Sequence, residues 1–157
     1  MNKLILAVAI VGLSAPAFAQ DENAVDMKDV PEAAMKMAME NAMGVTFDKA
    51  QVDDDEGTKT YELSGKMASG MMLEVDVLAD GTLEEVEEQI AMDAVPAEVT
   101  ATLNKEMQGF VPSMIEKSSR KDGLVVYEFE GKSADKEVDV EINADGTNYK
   151  MNDDLAG

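Results

Sequence analysis

The sequence predicts an α+β fold of two tandem helix-plus-antiparallel-strand repeats, with the helices packed on one face of an antiparallel sheet. Three observations predict it. One stretch is written twice: YELSGK at 61–66 returns as YEFEGK at 127–132, and LEVDVLADGT at 73–82 returns as VDVEINADGT at 138–147. Each copy follows a Val-Pro pair, Val30-Pro31 and Val95-Pro96, and a run with helical spacing. The separation is 65 residues at Val-Pro and at Asp-Gly and 66 at Tyr-Glu, and a fixed internal period marks a repeated structural unit.

The chain opens on what reads as a secretory signal peptide, residues 1–19. Lys3 gives the positive start, residues 4–13 the apolar run, and Ala17-Phe18-Ala19 a small-x-small cleavage site. That run is shorter than the about 20 residues needed to span a bilayer. The expected location is therefore periplasmic or secreted. Residues 20–29 are polar and aperiodic, a flexible lead-in. The first repeat is placed at 30–92 and the second at 93–157. Units this small, with no cysteine to staple them, are expected to share one core.

Proline is tolerated in a first helical turn, where its missing N–H would be unpaired anyway. Pro31 and Pro96 thus start helices that Gly44 and Gly109 stop. In the second helix Val99, Leu103 and Met107 form the apolar stripe; in the first the stripe is Ala34, Ala38 and Ala42, edged by Met35, Met39 and Met43. Strict alternation follows each helix. Tyr61 and Leu63 oppose Glu62; Leu73, Val75 and Val77 alternate with Glu74 and Asp76; Val125, Tyr127 and Phe129 oppose Glu128 and Glu130; Val138, Val140 and Ile142 alternate with Asp139 and Glu141. A period of two identifies half-buried strands, and Asp80-Gly81 and Asp145-Gly146 are hairpin signals. Residues 49–54 and 113–120 carry weaker strand patterns. Residues 83–90 fit a helix or a strand, and the hairpin before them favours a strand. The apolar side is expected under both helices and the acidic side toward water.

The order Val-Pro, helix, glycine, strand, Tyr-Glu strand, acidic-apolar strand and Ala-Asp-Gly, carried by VPEAA at 30–34, VPAEV at 95–99, the YELSGK and YEFEGK pair and the two ADGT segments, resembles the PepSY-like, or beta-lactamase-inhibitor-like, proteins. The resemblance covers roughly residues 30–153. It implies a periplasmic α+β module that binds or inhibits another protein, peptidases or beta-lactamases among the targets, and it brings no catalytic motif.

Composition narrows the function. Asp and Glu number 33 against 13 Lys and Arg, a formal charge of -20, so nucleic acid and anionic membrane surfaces are poor partners. With no histidine and no cysteine, the commonest general base, the thiolate nucleophile and the usual zinc ligands are missing. The expectation is a non-enzymatic module with no cofactor that binds a protein or peptide, basic partners among the candidates. Its partner-binding residues are expected to be Met35, Met39 and Met43 with Glu62, Glu74, Asp76, Glu128, Asp139 and Glu141. The alternative is a metal-handling protein, taking divalent cations on the acidic face or Cu(I) through Met35, Met37, Met39 and Met43, since thioethers are soft ligands. A calcium loop through Asp76, Asp80, Gly81 and Glu87 fails because Leu78 stands at its third ligand position; that Asp-Gly reads as a hairpin.

Overall fold

Alternating apolar and acidic residues need a partner strand on each side, and this chain supplies partners in sequence order. The computed structural model describes residues 23–55, 57–133 and 136–152. The expected signal peptide lies outside the described residues. A 3-10 turn, Met27–Asp29, leads into α1 (Glu32–Glu40), followed by β1 (Lys49–Asp55), β2 (Thr58–Lys66), β3 (Met72–Leu78) and β4 (Leu83–Gln89). A second 3-10 turn, Met92–Ala94, leads into α2 (Ala97–Glu106), then β5 (Pro112–Arg120), β6 (Val125–Ser133), β7 (Lys136–Asn143) and β8 (Lys150–Asn152). All eight strands form one sheet in the order β1-β2-β3-β4-β5-β6-β7-β8, every neighbour antiparallel.

This corrects the expected fold class. Among the described residues the molecule is not two tandem helix-plus-strand repeats but one continuous eight-stranded antiparallel sheet carrying two short helices, of nine and ten residues. The join is the β4–β5 ladder, in register from Glu85 opposite Arg120 to Gln89 opposite Glu116. Unpaired backbone groups along β4 would otherwise leave an open edge. A repeated sequence pattern reports the period of each half and carries no information on which edge pairs with which.

Register sets the faces. Ala50, Leu63, Val75, Val86, Ser119 and Val125 lie opposite one another across β1 to β6, so one face continues through the join. Both helices pack on it. Ala34 and Ala38 of α1 are wholly buried with Leu63, Leu73, Val75 and Val77, and Val99 and Leu103 of α2 are buried with Phe129, Val140 and Ile142. The single shared core expected from size is also corrected: these are two apolar clusters, and between them Glu88 faces Lys117 and Val86 faces Ser119. Burying polar residues at the join would cost more than leaving it partly wet.

The turns lock the helices to the sheet. Asp80 and Asp145 accept from Thr82 N and Thr147 N, each at 2.9 Å, and Gly81 and Gly146 take φ of +87° and +79°. A Cβ on Gly146 would stand 2.8 Å from the Glu98 carbonyl oxygen, and one on Gly81 3.0 Å from that of Ala33, so each turn rests against the first part of a helix. Ahead of α1, Val25 N donates to Ala50 O and Val52 N to Asn23 O, both at 2.9 Å, so the described part of the lead-in runs beside β1.

The glycines of YELSGK and YEFEGK are spacers. A Cβ on Gly65 would lie 2.5 Å from the Thr46 carbonyl oxygen, whereas one on Gly131 would meet the Phe110 ring and Pro112 Cα at 3.1 Å. Gly65→Ala is expected to cost about 1–3 kcal/mol, as overpacking against backbone does. Gly131→Ala should cost less, because its neighbour yields by a few tenths of an ångström. Urea unfolding of the two variants checks the order.

Candidate functional site

The face opposite the helices is acidic by register. Glu62 lies opposite Asp76, Asp76 opposite Glu85, and Glu85 opposite Arg120. Glu74 lies opposite Glu87, which faces Ser118. Glu116, Glu128, Glu141 and Lys150 form a third line, and Glu130 faces Asp139, which faces Asn152. Directly opposed residues hold their Cβ atoms about 5 Å apart, so carboxyl groups gather by geometry. Ligand oxygens of Glu62, Glu74 and Asp76 lie within 4.8 Å of one another, as do those of Glu128, Asp139 and Glu141, and those of Glu85, Glu87 and Glu128.

The expectation that this side faces water is corrected. Glu128, Asp139 and Glu141 are only 5%, 4% and 5% exposed, and Glu62, Glu74 and Asp76 are half-buried. Adjacent long acidic side chains shield one another at cross-strand spacing. Alternation in sequence separates the two faces without saying how crowded each is.

Arg120, the chain's only arginine, is the main internal counterion. Its Nε is 2.9 Å from Glu85 Oε1, and its Nη2 is 2.9 Å from Glu128 Oε1 and 3.5 Å from Glu141 Oε1. Ser118 Oγ also donates to Glu85, and Lys150 Nζ approaches Glu141 Oε2 at 3.5 Å. Burial opposes the Arg120 charge, but the Glu85 hydrogen bond and the Glu85, Glu141 and Glu128 charges outweigh it and hold the guanidinium protonated. Among the described residues two carboxyl oxygens stay unanswered: Asp76 Oδ1 and Asp139 Oδ1 are out of solvent contact with no hydrogen-bond partner.

Crowding without enough cations lifts the carboxyls. Burial, with Glu62 and Asp76 adding to it, pushes Glu74 up to about 9, against a hydrogen bond with Glu87. Asp76 rises well above the usual range through burial and the Glu62 and Glu85 charges, and Glu87 does so through burial and the Glu128 and Glu74 charges. Glu128 rises to about 8 by burial and then Glu85, despite Arg120. Glu116 and Glu130 rise to about 7, again chiefly by burial. Asp139 is raised by burial and Glu141, with Asn152 hydrogen bonding and Arg120 working the other way.

The structure thus brings together two of the expected groups, Glu62 with Glu74 and Asp76, and Glu128 with Asp139 and Glu141. It does not bring the methionines to them. α1 lies on the other side of the sheet; Met35 and Met37 pack against the first apolar cluster, while Met39 and Met43 are 54% and 61% exposed. The four methionines considered for Cu(I) are therefore divided between two environments. Sequence reasoning missed Glu85, Glu116 and Arg120, and weighed Glu87 only for a calcium loop. Glu85 and Glu87 keep the period of two on β4, a signal available in LEEVEEQ; Arg120 joins the site only through the β4–β5 pairing.

A carboxyl that is protonated when folded and charged when unfolded makes stability fall as pH rises, by about 1.4 kcal/mol per pH unit for each such group. For Glu74 that interval runs from the usual carboxylate range up to about 9, for Glu128 to about 8, and for Glu116 and Glu130 to about 7. The melting temperature is therefore expected to be higher at about pH 5 than at about pH 9, measured by circular dichroism at constant ionic strength. Arg120→Met is expected to cost about 3–5 kcal/mol at about pH 9, where Glu128 is ionised, the loss typical of breaking a buried ion pair. The cost should shrink at about pH 5, where Glu128 carries a proton.

The family described as peptidase propeptide and YPEB domain, PepSY_2, matches residues 3–89. No curated protein matches the sequence. Among solved structures, a DUF2874 family protein from Bacteroides ovatus superimposes with a TM-score of 0.63 at 12% identity, over 81% of this chain and 93% of that one. A BLIP-like protein from Bacteroides fragilis gives 0.60 at 14% identity, over 81% and 89%. A candidate periplasmic protein from Bacteroides eggerthii gives 0.63 at 11% identity, over 78% and 88%. These identities establish a shared fold and nothing finer. With more than half of its length matched, the chain belongs to the PepSY_2 family of peptidase propeptide and YPEB domains.

Proposed function

We propose that the protein is an exported, non-catalytic module that binds a protein or peptide, and that its acidic sheet face receives a basic segment of that partner. The observation that carries the reading is the excess of carboxyls on that face: among the described residues Asp76 Oδ1 and Asp139 Oδ1 are enclosed and without a hydrogen bond, beside carboxyls of which Glu85, Glu128 and Glu141 are paired with Arg120 and Lys150. A buried carboxylate without a partner is costly, and a cationic side chain arriving from outside offsets that cost. Electrostatic complementarity of this kind governs partner choice and association rate.

Membership in a propeptide family and structural likeness to a BLIP-like protein support binding or inhibition of another protein over catalysis. The absence of histidine and cysteine points the same way. Export is supported by the leader-like residues 1–19 and by the likeness to a candidate periplasmic protein. Met39 and Met43 offer a second, apolar contact on the helix side, of the adaptable kind methionine provides.

Immobilised protein exposed to a periplasmic extract of the parent organism is expected to retain a basic partner and release it at about 0.5 M salt, where charge interactions are strongly screened. The triple variant Glu62→Gln, Glu74→Gln, Asp76→Asn should retain about tenfold less, a loss of about 1.4 kcal/mol. Retention that ignores both salt and the triple substitution would overturn the reading.

A further inference from the structure

The sequence repeat places carboxylates at matched positions on the acidic face. Glu62 corresponds to Glu128, Glu74 to Asp139 and Asp76 to Glu141, and in both halves the three side chains offer oxygens within 4.8 Å of one another. The two groups differ in their surroundings. In the second, Arg120 spans Glu128 and Glu141 through one nitrogen while its Nε holds Glu85. No second arginine exists in the chain. By register Arg120 sits four residues beyond Glu116, the β5 residue opposite Glu128; the β1 residue opposite Glu62 is Gln51, and four residues beyond it stands Asp55, an acid.

Access differs too. The second group is buried to 5% exposure or less, whereas Glu62, Glu74 and Asp76 are half-buried. Each group also keeps one enclosed oxygen without a hydrogen bond, Asp76 Oδ1 in the first and Asp139 Oδ1 in the second.

We propose that Glu62, Glu74 and Asp76 form the seat for an arginine side chain of the partner, which takes there the role that Arg120 takes within the chain at Glu128 and Glu141. This rests on the reading of the acidic face as the partner's landing surface and names the side chain that it selects. A guanidinium presents several donors in a fixed plane and bonds two carboxylates at once, as Arg120 does; a lysine ammonium is a compact point charge without that fork. The seat therefore discriminates between two residues of equal charge, with Asp76 Oδ1 as the deepest acceptor.

The test uses two acetylated, amidated heptapeptides, one alternating alanine with arginine and the other alanine with lysine, titrated calorimetrically into the full chain at low salt. The arginine peptide is expected to bind about tenfold more tightly, in line with the stronger bidentate pairing. Asp76→Asn should abolish that preference, while Asp139→Asn, in the group already served by Arg120, should keep it; circular dichroism confirms that both variants are folded. Equal binding of the two peptides, or a preference that survives Asp76→Asn, overturns the arginine seat while leaving the acidic landing surface standing. Binding of neither peptide overturns both. A calcium-induced rise in melting temperature that Asp76→Asn removes, without any arginine preference, would assign the group to a metal and overturn the proposal.

Discussion

Opposed side chains in an antiparallel ladder stand about 5 Å apart whatever their charge, and the acidic half of this alternating pattern has to live with that spacing. Eight consecutive strands in one sheet repeat the constraint across the whole face. Carboxyls accumulate there faster than lysine and arginine, and Glu128, Asp139 and Glu141 end up nearly as buried as the apolar residues behind them. The fold survives because several carboxyls keep their protons and because one guanidinium bridges three of the acids. A protein carrying a charge of -20 thus holds part of that formal charge in abeyance within its own sheet.

The helix side answers a different constraint. α1 carries alanine where α2 carries valine and leucine, and Ala34, Ala38 and Val99 are alike wholly buried. Small residues let α1 lie close to a sheet whose own side chains, Leu63, Leu73, Val75 and Val77, fill the space between. The large side chains of α1 are displaced to its edges, where Met35 covers the cluster and Met39 and Met43 remain exposed.

Much of this was legible in the sequence where local physics decides. Alternation marked β2, β3, β6 and β7, Val-Pro marked both helix starts, and the Asp-Gly turns settled 83–90 as a strand although Leu83, Val86 and Ile90 also fit a helical stripe. Glu62, Glu74, Asp76, Glu128, Asp139 and Glu141 could be placed on one face for the same reason. What was not legible depends on pairing. Whether β4 meets β5 decides one sheet against two units, and it alone carries Arg120 to Glu85. Burial of the acids depends on how many neighbours crowd the face, which no window of a single strand contains. Strand β8, three residues without an alternating apolar pattern, gave no signal.

The two rims of the sheet are dressed differently from its interior. Along β1, the backbone of Asn23–Val25 takes up hydrogen bonds at Ala50 and Val52; along β7, the short β8 follows among the described residues. A ladder bordered by a strap on one flank and a three-residue strand on the other offers little template for another copy to extend it. Filament growth by strand addition is thereby discouraged at both flanks, which suits a chain rich in alternating β-formers.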